Sequence, residues 1–146
     1  MVAPPDLTDA IRKVHDFLTV GAPAPLQEGV AAALEVLGEE YYRTLASEYR
    51  ERRDLLIPAL QRAGFACAPP EGAYYVLTDF SALSRADDQR FARDLARLAG
   101  VAPVPGSSFF GAPDARRTLV RFAFCKRIET LHETGERLLR FAAAGG

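Results

Sequence analysis

The chain has 146 residues, of which 49% are hydrophobic and 25% charged, and its formal net charge is -1. This is an ordinary globular composition in a chain long enough to close its own core. It carries no basic excess for nucleic acid and no apolar run long enough to span a membrane. The two cysteines, Cys67 and Cys125, stand far apart without a CxxC or a His/Cys cluster. They read as free thiols in a reducing cytoplasm, not as a metal or redox site, and the first residues show no signal-peptide core.

Leu7, Ala10, Ile11, Val14, Phe17 and Leu18 recur at helical spacing, which predicts a first helix over residues 7 to 18. Gly21, Pro23 and Pro25 break it, and a small-residue helix follows to about Leu37. A long helix is expected from about Glu40 to Ala63, striped by Tyr42, Leu45, Tyr49, Leu56 and Leu60 and disturbed by Pro58, with Gly64 as its C′ residue. After Gly64 the period changes. "FACA" is a short strand candidate, "PPEG" a turn, and "AYYVLTDF" over 73 to 80 a strand. Residues 87 to 99 form an amphipathic helix with Phe91, Leu95 and Leu98 on one face, and Val101 to Val104 a short strand. "PGSSFFGAPD" reads as a loop, and a last helix runs from about Glu129 to Ala143. The order from Phe65 is β-β-α-β-β-α behind one long helix, which implies an α+β fold with a small sheet packed against helices.

Between that loop and the last helix lies "TLVRFAFCKR", residues 118 to 127, which reads as an interior strand interrupted by Arg121. A guanidinium there is costly to desolvate unless an anion meets it. Two anions are possible on the residues alone: one of the chain's 19 acidic side chains, or a ligand.

Five segments then carry a resemblance: "APPDLTDAIRKVHDFLTVGAPAPLQEGVAAAL", "YYRTLASEYRERRDLLIPALQRAGF", "PPEGAYYVLTDFS", "VAPVPGSSFFG" and "LVRFAFCKRIETL". In this order they resemble the C-terminal portion of class I pyridoxal-phosphate-dependent aminotransferases, nearest the kynurenine/glutamine and methionine branch. The resemblance covers nearly the whole chain. It implies that residues 1 to 39 are two helices from the edge of a large domain, and that residues 40 to 146 are the small α+β domain of a fold-type-I enzyme. It implies that Arg121 binds the α-carboxylate of an amino acid or 2-oxo acid. A planar fork of donors suits that task.

The same resemblance points to Tyr74 as the aromatic residue of the substrate pocket, with Tyr75 facing the opposite way by strand alternation. Core packing of both tyrosines is the competing reading. Ser107 and Phe109 fall on a loop bordering the substrate entrance, unless they form a plain turn. Val20 and Gly21 match a loop reaching the partner subunit's active site in the family's homodimer, but the bulky aromatic and histidine of some relatives are absent.

Aminotransfer needs a lysine to hold pyridoxal 5'-phosphate. The chain's lysines are Lys13, in an amphipathic helix beside Arg12, and Lys126, at the end of the Arg121 strand. Neither matches the cofactor position, and no catalytic residue is assigned. The resemblance therefore implies a missing N-terminal segment and an inactive chain by itself. A freestanding, non-catalytic carboxylate-binding module and a folded fragment without a function of its own are the alternatives.

Overall fold

The computed structural model describes residues 4–18, 21–110 and 117–145. The chain divides into two compact units, Met1–Thr44 and Leu45–Gly146.

In the first unit, α1 (Pro5–Leu18) begins with proline and Asp6 in its first turn, where a missing N–H and a negative charge both suit a helix start. Lys13 pairs with Asp9 one turn earlier at 2.9 Å. Helix α2 (Ala24–Val36) follows Pro23 and ends at Leu37, whose N–H reaches Ala33 O. Neither helix buries a residue. The apolar stripe predicted for α1 is present but open, with Phe17 91% and Leu18 76% exposed, and α2 exposes Val30, Leu34 and Val36.

Helix α3 (Glu39–Arg62) leads into the second unit. It closes with Gly64 at φ 93°. The Gly64 N–H bonds to Gln61 O and the Phe65 N–H to Leu60 O. These are the two reversed bonds that cap a helix through a left-handed residue. Pro58 sits inside the helix at an exposed position, while Leu56, Ile57, Ala59 and Leu60 are buried.

Three antiparallel strands follow: β1 (Tyr75–Asp79), β2 (Val104–Pro105) and β3 (Leu119–Ala123), in the order β1-β3-β2. Val76, Thr78, Val120 and Phe122 face the core, and the alternate residues face away. The core joins that face to α3, α4 (Asp88–Ala99) and α5 (Ile128–Ala143) through Leu56, Leu60, Phe91, Leu95, Leu131 and Leu138. Phe80 stacks flat on Phe91 at 3.9 Å. The buried Thr78 hydroxyl donates to Val120 O, so the one polar side chain on that face is satisfied within the sheet.

Several expectations change. "FACA" makes only a single bridge, Ala66 to Asp79. Val101, Ala102 and Pro103 lie outside the sheet, and β2 is two residues long before the chain turns into a 3₁₀ helix, Gly106–Phe109, within the expected loop. Strand β1 starts at Tyr75 because Ala73, at φ 62°, bends the chain just before it. Leu98 is 71% exposed rather than on the core face. The Arg121 strand is not interior on both sides. Strict alternation puts Val120 and Phe122 in the core and Arg121 on the opposite face.

Candidate functional site

Arg121 is the middle residue of the central strand. Its register partners are Leu77 on β1 and Val104 on β2. Tyr75, two positions from Leu77, lies on the same face. Its ring lies 4.7 Å from the guanidinium carbon of Arg121. The Phe109 ring lies 4.3 Å from the same atom. The cation thus contacts two aromatic rings, an attraction of roughly 0.5–2 kcal/mol per ring depending on desolvation. Arg121 Nε is buried without a hydrogen-bond partner, and among the described residues no carboxylate pairs with the guanidinium. The internal ion pair that the sequence left open is therefore not found there.

The resemblance points to Tyr74 for the substrate pocket, while the ring beside Arg121 on β1 is that of Tyr75. Tyr74 precedes β1, is 48% exposed, and meets Tyr75 edge-on at 5.4 Å. Its carbonyl accepts the Phe124 N–H. Counting alternation from Arg121 through the true register selects Tyr75, and that register is invisible in one strand's sequence. Phe109 and Arg121 are brought together. Ser107 lies two residues before Phe109, and its N–H donates to Asp88 Oδ2 at 2.6 Å. Gly21 lies exposed in the connection between α1 and α2, with open space where a side chain would project. Val20 lies outside the described residues.

Asp88 is a residue that sequence reasoning missed. It is the first residue of α4 and fully buried. Burial opposes its charge. The Ser107 hydroxyl and N–H, the Gln89 N–H and the Arg117 charge outweigh that and hold its carboxyl below the usual carboxylate range. On the neighbouring strand ends, Asp79 accepts from Ser81 N–H at 2.7 Å and from the Thr118 hydroxyl at 2.8 Å.

The aminotransferase class I and II family profile matches residues 1–138. This chain belongs to that family. The methionine aminotransferase of Escherichia coli is 39% identical to this chain over 137 residues, covering 94% of this chain and 35% of the relative. A kynurenine–oxoglutarate transaminase of Dictyostelium discoideum is 30% identical over 158 residues, covering 95% and 36%. Among solved structures, N-succinyldiaminopimelate aminotransferase of Mycobacterium tuberculosis superposes with a TM-score of 0.80 at 34% identity, over 95% of this chain and 36% of that one. The Escherichia coli methionine aminotransferase gives 0.77 at 38% identity, over 95% and 36%. The α+β architecture is that of these neighbours, and the chain spans about a third of the length of the relatives it matches.

The family implies pyridoxal phosphate in the complete enzyme, and both lysines of this chain lie among the described residues. Lys13 is 76% exposed and paired with Asp9. Lys126 is exposed in a groove with Glu48, Tyr49, Arg52, Cys125 and Arg127. Neither amine is desolvated, as a Schiff-base lysine would need to be.

Proposed function

We propose that these residues are the C-terminal part of a pyridoxal-phosphate-dependent aminotransferase that moves an amino group from an amino acid to a 2-oxo acid. Arg121 would grip the α-carboxylate common to both substrates. One observation carries this reading: the Arg121 guanidinium is oriented by two rings and neutralised by no acid among the described residues. Its remaining N–H groups suit a carboxylate arriving from outside. We assign the cofactor's lysine and phosphate cradle to the rest of the protein, and expect the 146-residue chain alone to be inactive. We assign residues 1 to 39 to the edge of the large domain, in keeping with helices that bury nothing by themselves. The small domain is then residues 40 to 146, and the Val20–Gly21 loop would serve the partner subunit in a cytoplasmic homodimer.

The test uses a full-length protein containing these residues, assayed for aminotransfer with several amino acids. Arg121→Ala should lower kcat/KM at least about tenfold, since charge-assisted bonds of roughly 1.5–3 kcal/mol are lost. The loss should be common to all amino acids, and Arg121→Lys should restore little because a point charge lacks the fork. Unchanged kcat/KM in Arg121→Ala would refute the assignment. A non-catalytic carboxylate-binding module is the second reading, since the same Arg121 site would serve it. Carboxylate binding by a full-length protein that shows no aminotransfer would establish it.

A further inference from the structure

Asp87 and Asp88 stand together at the start of α4, and the two have different tasks. Asp87 is the N-cap, its carboxylate accepting the Arg90 N–H at 2.8 Å. Asp88, the next residue, is fully buried. A buried carboxylate is expensive unless hydrogen-bonded. Its Oδ2 accepts the Ser107 N–H, 2.6 Å away in the Gly106–Phe109 turn, while its Oδ1 is buried without a hydrogen-bond partner. Just before that turn, Val104 pairs with Arg121 and Pro105 with Val120. Two residues beyond Ser107, the Phe109 ring covers the Arg121 guanidinium. Phe109 is itself 44% exposed, so its place depends on how the turn beneath it is held.

We propose that Asp88 is a positioning residue for the Arg121 site: its buried carboxylate fixes the Gly106–Phe109 turn through Ser107, and the turn keeps Phe109 on the guanidinium. The inference rests on the reading of Arg121 as a carboxylate grip, but its geometric half does not. Without the tie, Phe109 can leave, and the guanidinium keeps only Tyr75 to set its plane. The fork would then be free to rotate about the Arg121 side-chain bonds, and a carboxylate would have to order it on binding.

The experiment is ¹⁵N NMR on the full 146-residue chain, following the Arg121 Nε–H, assigned as the signal lost in Arg121→Lys. Beside two rings this proton is displaced by ring currents. Asp88→Ala should move it toward the position of a solvated arginine. In a titration with L-glutamate as the carboxylate probe, the same variant should raise Kd about fivefold, the upper end for one lost exposed cation–π contact. Asp88→Asn, which keeps an acceptor oxygen, should restore most of both effects. A purely structural role for Asp88 would lower the melting temperature and leave the Arg121 signal where it was. If Asp88→Ala does not fold, Ser107→Pro removes the same bond from the donor side and should move the signal in the same direction. An Arg121 Nε–H unmoved in the folded variant, with the Ser107 resonances altered or lost, would overturn the proposal. Glutamate leaving the wild-type Arg121 signal untouched would instead overturn the carboxylate reading, while the ring-current displacement would still decide the role of Asp88.

Discussion

A carboxylate held by hydrogen bonds links its own ionisation to folding, and Asp88 is such a group. Its folded-state pKa lies below the ordinary value because the Ser107, Gln89 and Arg117 contributions outweigh the effect of burial. A depressed folded pKa means that the unfolded chain takes up the proton first. The stabilisation is therefore fully present above the ordinary aspartate value, near 3.9, and is lost as pH falls from there through the lower folded value. Urea unfolding of wild type and Asp88→Asn should differ most near neutrality, with the gap narrowing below about pH 4. A gap constant from pH 7 to pH 3 would show that the charge of Asp88 adds nothing to folding. Asp79, also shifted down, adds to the wild-type acid limb but is common to both proteins and cancels in the comparison. At this scale the sequence was partly legible. Arg121 drew notice because a guanidinium inside an apolar strand demands an explanation. Tyr75 and Asp88 did not, because one depends on cross-strand register and the other resembles an ordinary acid in a helix's first turn.

Among the elements, α3 and α5 approach so closely that Gly135 has no room for a side chain at ordinary contact distance. A methyl group there would meet the Ala59 Cβ at 3.0 Å. Gly64 is constrained in two ways, by its φ of 93° and by Leu83, whose Cδ2 would lie 2.7 Å from an added Cβ. Gly64→Ala should cost about 1–2 kcal/mol for the left-handed backbone alone, with repacking of Leu83 added. Chemical denaturation of the variant measures it, and a loss below about 0.5 kcal/mol would mean that the cap relaxes. The long helices were readable from spacing because their stripes persist over several turns, and Gly64 was readable as a stop. The short strands were not. A two-residue β2 and a one-residue bridge at Ala66 are defined by what β3 and Asp79 offer them across the sheet, and no local pattern encodes that. Leu98 was misplaced for a related reason, because α4 is wide enough in apolar residues for the stripe to overrun the contact.

For the whole chain, the contrast lies between a second unit with a continuous core and a first unit whose α1 and α2 bury nothing. Apolar stripes of this extent on an exposed surface act as docking or sticking faces. Residues 40 to 143 should therefore survive limited proteolysis while the segment before them is cut, and the intact chain should sediment as a self-associated species. Resistance throughout residues 1 to 37 together with a monomeric sedimentation profile would contradict this. Cutting confined to the first segment would also justify preparing the second unit alone for spectroscopy.

The pair of rings on Arg121 has one more consequence, which concerns competition. A carboxylate of the chain itself, tethered beside the guanidinium, would act at the millimolar or higher effective concentration of a short linker, and every incoming anion would first have to displace it. Tyr75 and Phe109 contact the cation through their rings, and Arg121 Nε makes no hydrogen bond. The guanidinium is left without a resident rival carboxylate among the described residues.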